Sequence, residues 1–265
     1  MARCGEAALF LSCVLAVVGT SSQAQENTPS NQAQESTPAS HAPDGNSFEQ
    51  IQSIIIPPVI NAPFTATVTA KLIRKLQDGS TMTKTNHRLV QRDGSGRIFQ
   101  ERRWLVPADG AQEPAISRLD FSDPITHVRY FCHPGRKICE ETDYFMPDSF
   151  SEVATGASPD GTRTLTRKDL GRQAFEGLDT VGTLETTTIK AGVIGNDRPV
   201  AVTKEFWYSP ELGVNLLVKR EDPRFGTQIF AVTEIQRGEP NPAAFELPAE
   251  YKVVDQRSQQ AAEDR

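Results

Sequence analysis

Three residues of the kinds that bind metals or exchange electrons stand close together in "FCHPGRKICEE": Cys132, His133 and Cys139. Three chemistries suit them. Paired thiols in an oxidising compartment join as a disulfide, free thiols act as reactive groups, and thiolates beside an imidazole begin a zinc site. A metal needs one or two ligands beyond the cysteines, and only His133 among the histidines is near in sequence. A hairpin turning at Gly135-Arg136 would instead set position 132 opposite 139. Opposed positions of the closer kind have Cα atoms about 4.5 Å apart, within reach of a disulfide. The bridge is therefore the expected state, with His133 opening the turn. Closing so short a loop stabilises by at most ~2–3 kcal/mol, enough to hold a hairpin but not a whole fold.

Other catalytic patterns are missing from the linear sequence. None of His41, His87, His127 and His133 has the helical spacing and flanking carboxylates of a zinc hydrolase. "RDGSGR" has the wrong spacing for a serine-nucleophile elbow and lacks the repeated acids of a calcium loop. "GVIGN" lies between strand-like runs, whereas a phosphate or dinucleotide loop opens a helix. Asp120, Asp123, Glu140 and Glu141 are acids of the right type for paired-carboxylate chemistry, but no spacing selects two of them. No cofactor and no metal is expected, and the chain reads as a non-enzyme.

The elements that would carry these residues are strands. "FTATVTAKL" puts Phe64, Ala66, Val68, Ala70 and Leu72 on one side and Thr65, Thr67, Thr69 and Lys71 on the other. This period of two predicts a strand with one buried and one wet face. Turn signals then recur at Asp78, Asp93, Ala108, Ser122 and His133, separating runs that form a meander. After "MPDSFSEVATGASPDG", a loop or short helix, strand-like runs resume and end in "VAVTKEFWYS", "GVNLLVKR" and "GTQIFAVTEIQR". The last of these carries apolar residues on both sides, as in a central strand covered on both faces. The total is about ten or eleven strands with no convincing amphipathic helix, an all-β fold.

Ahead of the strands, residues 1–24 have an early Arg3, an apolar run and the small-residue site Ser22-Gln23-Ala24, the anatomy of a secretory signal peptide. Cys13 follows "FLS" as in a lipidation signal, but the apolar run continues past it and Phe10 stands where Leu is usual. The run is too short for a lasting membrane anchor. Residues 25–47 contain near-repeats of "AQENTPS" and lack aromatic and apolar β-branched residues, which predicts a disordered Ser/Thr/Pro/Gln-rich leader. The β domain then runs over 48–255, with a polar tail at 256–265. Paired Pro57-Pro58 and Pro63 forbid a long helix at the start of that domain.

Removal of the signal peptide takes Arg3 and Glu6 with it and leaves 27 basic against 33 acidic side chains, a net charge of −6. Nucleic acid is not expected as a partner on that balance. "RIFQERRW" and "RYFCHPGRK" mix basic and aromatic residues as single-strand binders do. They read better as charges on the wet face of a meander, with Phe99, Trp104 and Tyr130 packing beneath.

The stretch from "GNDRPVAVTKEFWYSPELG" through "DPRFG" to "RGEPNPAAFELPAEY" resembles an uncharacterised family of exported bacterial proteins. More loosely, the order strand, "DPRFG" turn, strand and "PAAFELP" is similar to the C-terminal half of the periplasmic lipoprotein-carrier superfamily, which also contains envelope-stress sensors. That resemblance implies an incomplete antiparallel β-barrel whose concave apolar face takes acyl chains under a helical lid. Strong lid helices are lacking here. Phe64, Ala66, Val68, Ala70 and Leu72 are the candidate lining, with ordinary core as their other role. The function expected is an exported, periplasmic or extracellular protein that binds a lipid or lipoprotein acyl chain on the concave face. The alternative is an interaction or sensor module with an envelope protein partner and no small ligand. A hollow concave face would favour the first and a filled one the second. A hydrolase with a site assembled from distant residues is the third class.

Overall fold

The computed structural model describes residues 54–145 and 154–257. Contacts divide the chain into Met1–Phe48 and Glu49–Arg265, and all described residues belong to the second unit. The signal peptide, the leader and residues 146–153 of the expected loop or helix lie outside the described residues.

Alternating Thr, Val and Ala build the long strands, since β-branched side chains suit a pleated surface. The first series is β1 (Phe64–Lys75), β2 (Thr81–Arg92), β3 (Ile98–Arg103), β4 (Val106–Pro107), β5 (Ile116–Asp123), β6 (Val128–His133) and β7 (Ile138–Asp143). The second is β8 (Gly156–Ala157), β9 (Arg163–Phe175), β10 (Leu178–Ile189), β11 (Val200–Ser209), β12 (Val214–Asp222), β13 (Gly226–Arg237) and β14 (Lys252–Asp255). Together they form one curved sheet in the order β14-β7-β6-β5-β3-β2-β1-β13-β12-β11-β10-β9-β8, with β4 pairing β2. The all-β incomplete barrel expected from the sequence is thus the observed architecture, with fourteen strands in place of ten or eleven. The surplus is β4, β8 and β14, of two to four residues each, too short for a period of two to register.

Aspartates make the turns. The Asp93 carboxylate accepts hydrogen bonds from the amides of Ser95 (3.0 Å) and Arg97 (2.8 Å), and Gly96 adopts φ 87° to close the loop. Asp78, Asp123 and Asp222 act likewise on the amides of Ser80, Ile125 and Arg224.

The sheet curls over one face. Arg92 of β2 donates from Nη2 to the carbonyl of Leu212, just before β12, at 2.6 Å. Three strand spacings separate these elements, roughly 14 Å on a flat sheet and beyond an arginine's reach. The inner face so defined carries the main core: Phe64, Ala66, Val68, Ala70, Val90, Leu216, Phe230 and Val232, joined by Ile54 and Ile56. On β13, Phe230 and Val232 are buried inside while Ile229 and Ala231 are half-buried outside, so only the inner face of this central strand is fully covered. A second cluster sits on the outer face of the meander. Phe121, Cys132 and Cys139 pack there with Phe99, Leu119, Tyr130, Leu247 and Tyr251. Leu247 and Tyr251 come from the "PAAFELP" segment and the turn before β14, which runs parallel to β7.

Candidate functional site

The inner face falls into two parts. Around β1 it is apolar and filled: Phe64, Ala66, Val68, Ala70 and Leu72 are 0, 2, 1, 8 and 2% exposed. Part of the filling is residues 54–62, which cross the inner face without joining the sheet. Pro57 and Pro58 lack amide hydrogens, so this strap cannot extend a ladder, and its carbonyls must find donors elsewhere. Two arginines of β2 supply them. Arg88 Nη2 donates to the Ile54 carbonyl at 3.1 Å, and Arg92 donates to Pro57 at 2.9 Å and twice to Ala62 at 3.0 and 2.7 Å. The Arg92 guanidinium also lies 4.8 Å from the centre of the Phe64 ring. Val59 and Asn61 amides bond to the carbonyls of Pro57 and Gly94. Ile54 and Ile56 point into the core while Ile55 and Ile60 are exposed.

Burial pulls the Arg88 guanidinium down to about 9, with Arg102 pushing the same way and Asp120 opposing. Burial lowers Arg92 to about 10. Both remain charged at neutral pH.

The second part lies over β2, β3, β5 and β6 and is cationic. Register places Val90 opposite Gln100, Gln100 opposite Asp120, and Asp120 opposite Phe131, all on the inner face. Arg88 Nη1 donates to Gln100 Oε1 at 2.5 Å, and Arg102 Nε and Arg118 Nε reach Asp120 at 2.8 and 2.5 Å. Asp120 is buried under them. The Arg118 guanidinium stacks 4.3 Å from the Phe131 ring centre, and Arg129 sits over Phe131 and Tyr144 at 5.6 and 4.4 Å. The expectation that the basic residues of "RIFQERRW" and "RYFCHPGRK" occupy the wet face of the meander therefore fails for Arg102 and Arg129, which Arg118 of β5 joins inside. They share the parity of buried Ile98 and Ser122, which fixes them inside. Trp104 also departs from expectation. It follows the bulge at Arg102/Arg103, outside β3, and is 66% exposed, whereas Phe99 and Tyr130 do pack on the outer cluster.

Cys132 and Cys139 are bonded to each other, in register across the β6–β7 hairpin and buried on the outer face, away from the strap. The carboxylates weighed for catalysis are each engaged. Asp120 holds two arginines, Asp123 closes a turn, Glu140 pairs with Arg136, and Glu141 with Arg257. Hydrogen bonds hold the carboxyls of Asp78, Asp93, Asp160, Asp222 and Asp255 below the ordinary carboxylate range. A general acid requires a shift upward. Among the described residues no group of three or more His, Cys, Asp or Glu could hold a metal ion. No helix among them is long and apolar enough to cross a membrane, which does not bear on strands.

No protein family and no curated protein is matched by the sequence. Similar solved structures include an uncharacterised conserved protein of Thermus thermophilus, with TM-score 0.37 and 10% identity over 74% of this chain and 91% of that one. The MucA/MucB complex of Pseudomonas aeruginosa gives TM-score 0.37 and 15% identity, and the match covers 73% of this chain but only 58% of that one. A LolA superfamily protein of Nitrosomonas europaea gives 0.25 and 9%, over 70% and 90% of the two chains.

Proposed function

We propose that the protein is a non-enzymatic, exported protein of the bacterial envelope that binds a hydrophobic group, such as a lipid or lipoprotein acyl chain, on the inner face of its sheet. The observation carrying this reading is the strap. The apolar strip Phe64, Ala66, Val68 and Ala70 is sealed in part by a segment that contributes no strand and hangs on arginine side chains. Such a cover can leave without breaking a sheet ladder, and an acyl chain would replace the two isoleucines it withdraws. Binding by burial of apolar surface, with few polar contacts, is the chemistry this strip offers. The signal-peptide pattern of residues 1–24 supports export, and the domain is taken as 48–255.

The strip around β1 is filled, the outcome that favours a second reading. If the strip is permanent core, the protein is an interaction or sensor module of the envelope, with an envelope protein as partner. Uptake of a fluorescent fatty acid by protein purified without detergent separates the two. Each buried isoleucine holds the strap by about 1.5–3 kcal/mol. Ile54→Ser/Ile56→Ser, checked as folded by near-UV circular dichroism, should bind the probe at least tenfold more tightly than the wild type. Uptake by neither chain overturns the carrier reading and leaves the interaction module.

A further inference from the structure

The cationic half of the inner face has more positive charge than its own acids neutralise. Arg102, Arg118 and Arg129 converge there, beside Arg88. Asp120 is the acid at their centre, and Glu140, across Phe131, already has Arg136 at 2.9 Å and His133 at 3.4 Å. Asp120 engages Nε of Arg102 and both Nε and Nη2 of Arg118. The two Nη groups of Arg102 and Nη1 of Arg118 have no hydrogen-bond partner among the described residues, and these side chains are 33 and 36% exposed. The buried carboxylate thus holds both guanidinium groups from one side, while both side chains keep about a third of their surface exposed.

We infer that this cluster is an oxyanion site, and that the ligand of the inner face is an amphipathic anion whose phosphate or carboxylate lies on Arg102 and Arg118 while its tail runs toward the β1 strip. The inference rests on the proposed hydrophobic binding for the tail but not for the anion. Guanidinium edges match oxyanions in geometry, two parallel N–H groups to two oxygens. Like charges gathered under partial burial repel one another, and an arriving anion relieves that repulsion. Arg88 joins the anion site to the apolar strip, being opposite Val68 of β1 and hydrogen-bonded to Gln100 of the next strand pair. The chain as a whole is acidic, at −6, so this patch is a local reversal of sign rather than part of a general basic surface.

The test compares dodecyl phosphate, dodecanol and inorganic phosphate by calorimetric titration of the wild type, Arg102→Gln/Arg118→Gln and Asp120→Asn. The wild type should prefer dodecyl phosphate over dodecanol at least tenfold, and the double arginine variant should lose that preference while binding dodecanol unchanged. Asp120→Asn should strengthen dodecyl phosphate binding several-fold, a gain that misfolding could not mimic. Equal affinity for both amphiphiles in the wild type would overturn the oxyanion site and leave apolar binding standing. If neither amphiphile binds, the hydrophobic-ligand reading fails. Inorganic phosphate then decides the anion site, sustaining it by saturable binding lost in the arginine variant and overturning it by none. Inorganic phosphate binding as tightly as dodecyl phosphate would identify the free ion as the ligand and overturn the assignment of a lipid headgroup.

Discussion

Single side chains divide into those that hold the inner face and those that decorate the surface, and their removal should cost accordingly. Arg92 is fully buried and gives four hydrogen bonds to three carbonyls of the strap and the turn before β12. Arg92→Met strands those carbonyls, although it also relieves a buried charge. The net expectation is a loss of about 3 kcal/mol in urea unfolding. Arg237, paired with Glu211 where both side chains are more than half exposed, should change stability by no more than about 0.5 kcal/mol when replaced by Ala. Asp222 provides a pH signature. Burial works to raise its carboxyl, but hydrogen bonds from Arg224 and the charges of Arg224 and Arg220 outweigh it and leave the pKa below the ordinary 3.8. A group depressed on folding contributes fully above its unfolded pKa and loses that contribution as pH falls through the folded one. The stability gap between wild type and Asp222→Asn should therefore be constant from pH 7 to about 5 and close as pH drops below about 4. A gap that persists to pH 2 would mean that Asp222 does not act through its charge.

Among the elements, the β6–β7 hairpin and the β10–β11 pair make separable demands. The disulfide closes a short loop and packs in the outer cluster, apart from the core that contains β1. Cys132→Ala/Cys139→Ala should lower stability by about 2 kcal/mol and leave a cooperative transition, whereas loss of the folded state would show that the outer cluster organises the whole sheet. Gly182 of β10 lies opposite Trp207, and a methyl group there would meet the indole ring at 2.6 and 2.7 Å and Leu170 at 2.9 Å. Gly182→Ala should cost about 1–3 kcal/mol by thermal or urea unfolding. The hairpins were legible in the sequence because turn chemistry and a period of two act locally: Asp-Gly pairs closed the loops and Cys132 met Cys139 across its turn. The arginine cluster was not legible. In "NHRLVQR", Leu89 and Val90 compete for the interior, and only the pairing of Phe64 with Arg92 and Val68 with Arg88 decides that both arginines point inward. The strap was half legible, since its prolines exclude helix and ladder but say nothing of which face it crosses.

At the scale of the molecule, one sheet wraps an apolar strip, a strap and an arginine-rich half trough, and the central claim is that an acyl chain enters where the strap lies. First-strand burial alone cannot separate core from ligand floor, because a covered floor and a permanent core present the same alternation in sequence. Movement of the strap can. Its amide at Asn61 is hydrogen-bonded to Gly94, outside the strap, while those of β1 belong to ladders on both sides. Hydrogen exchange of the full chain with and without a saturating fatty acid is the direct measurement. The expected result is faster exchange at Asn61 with β1 unchanged. Fatty acid bound with undiminished protection across the strap would contradict the claim that the ligand takes its place.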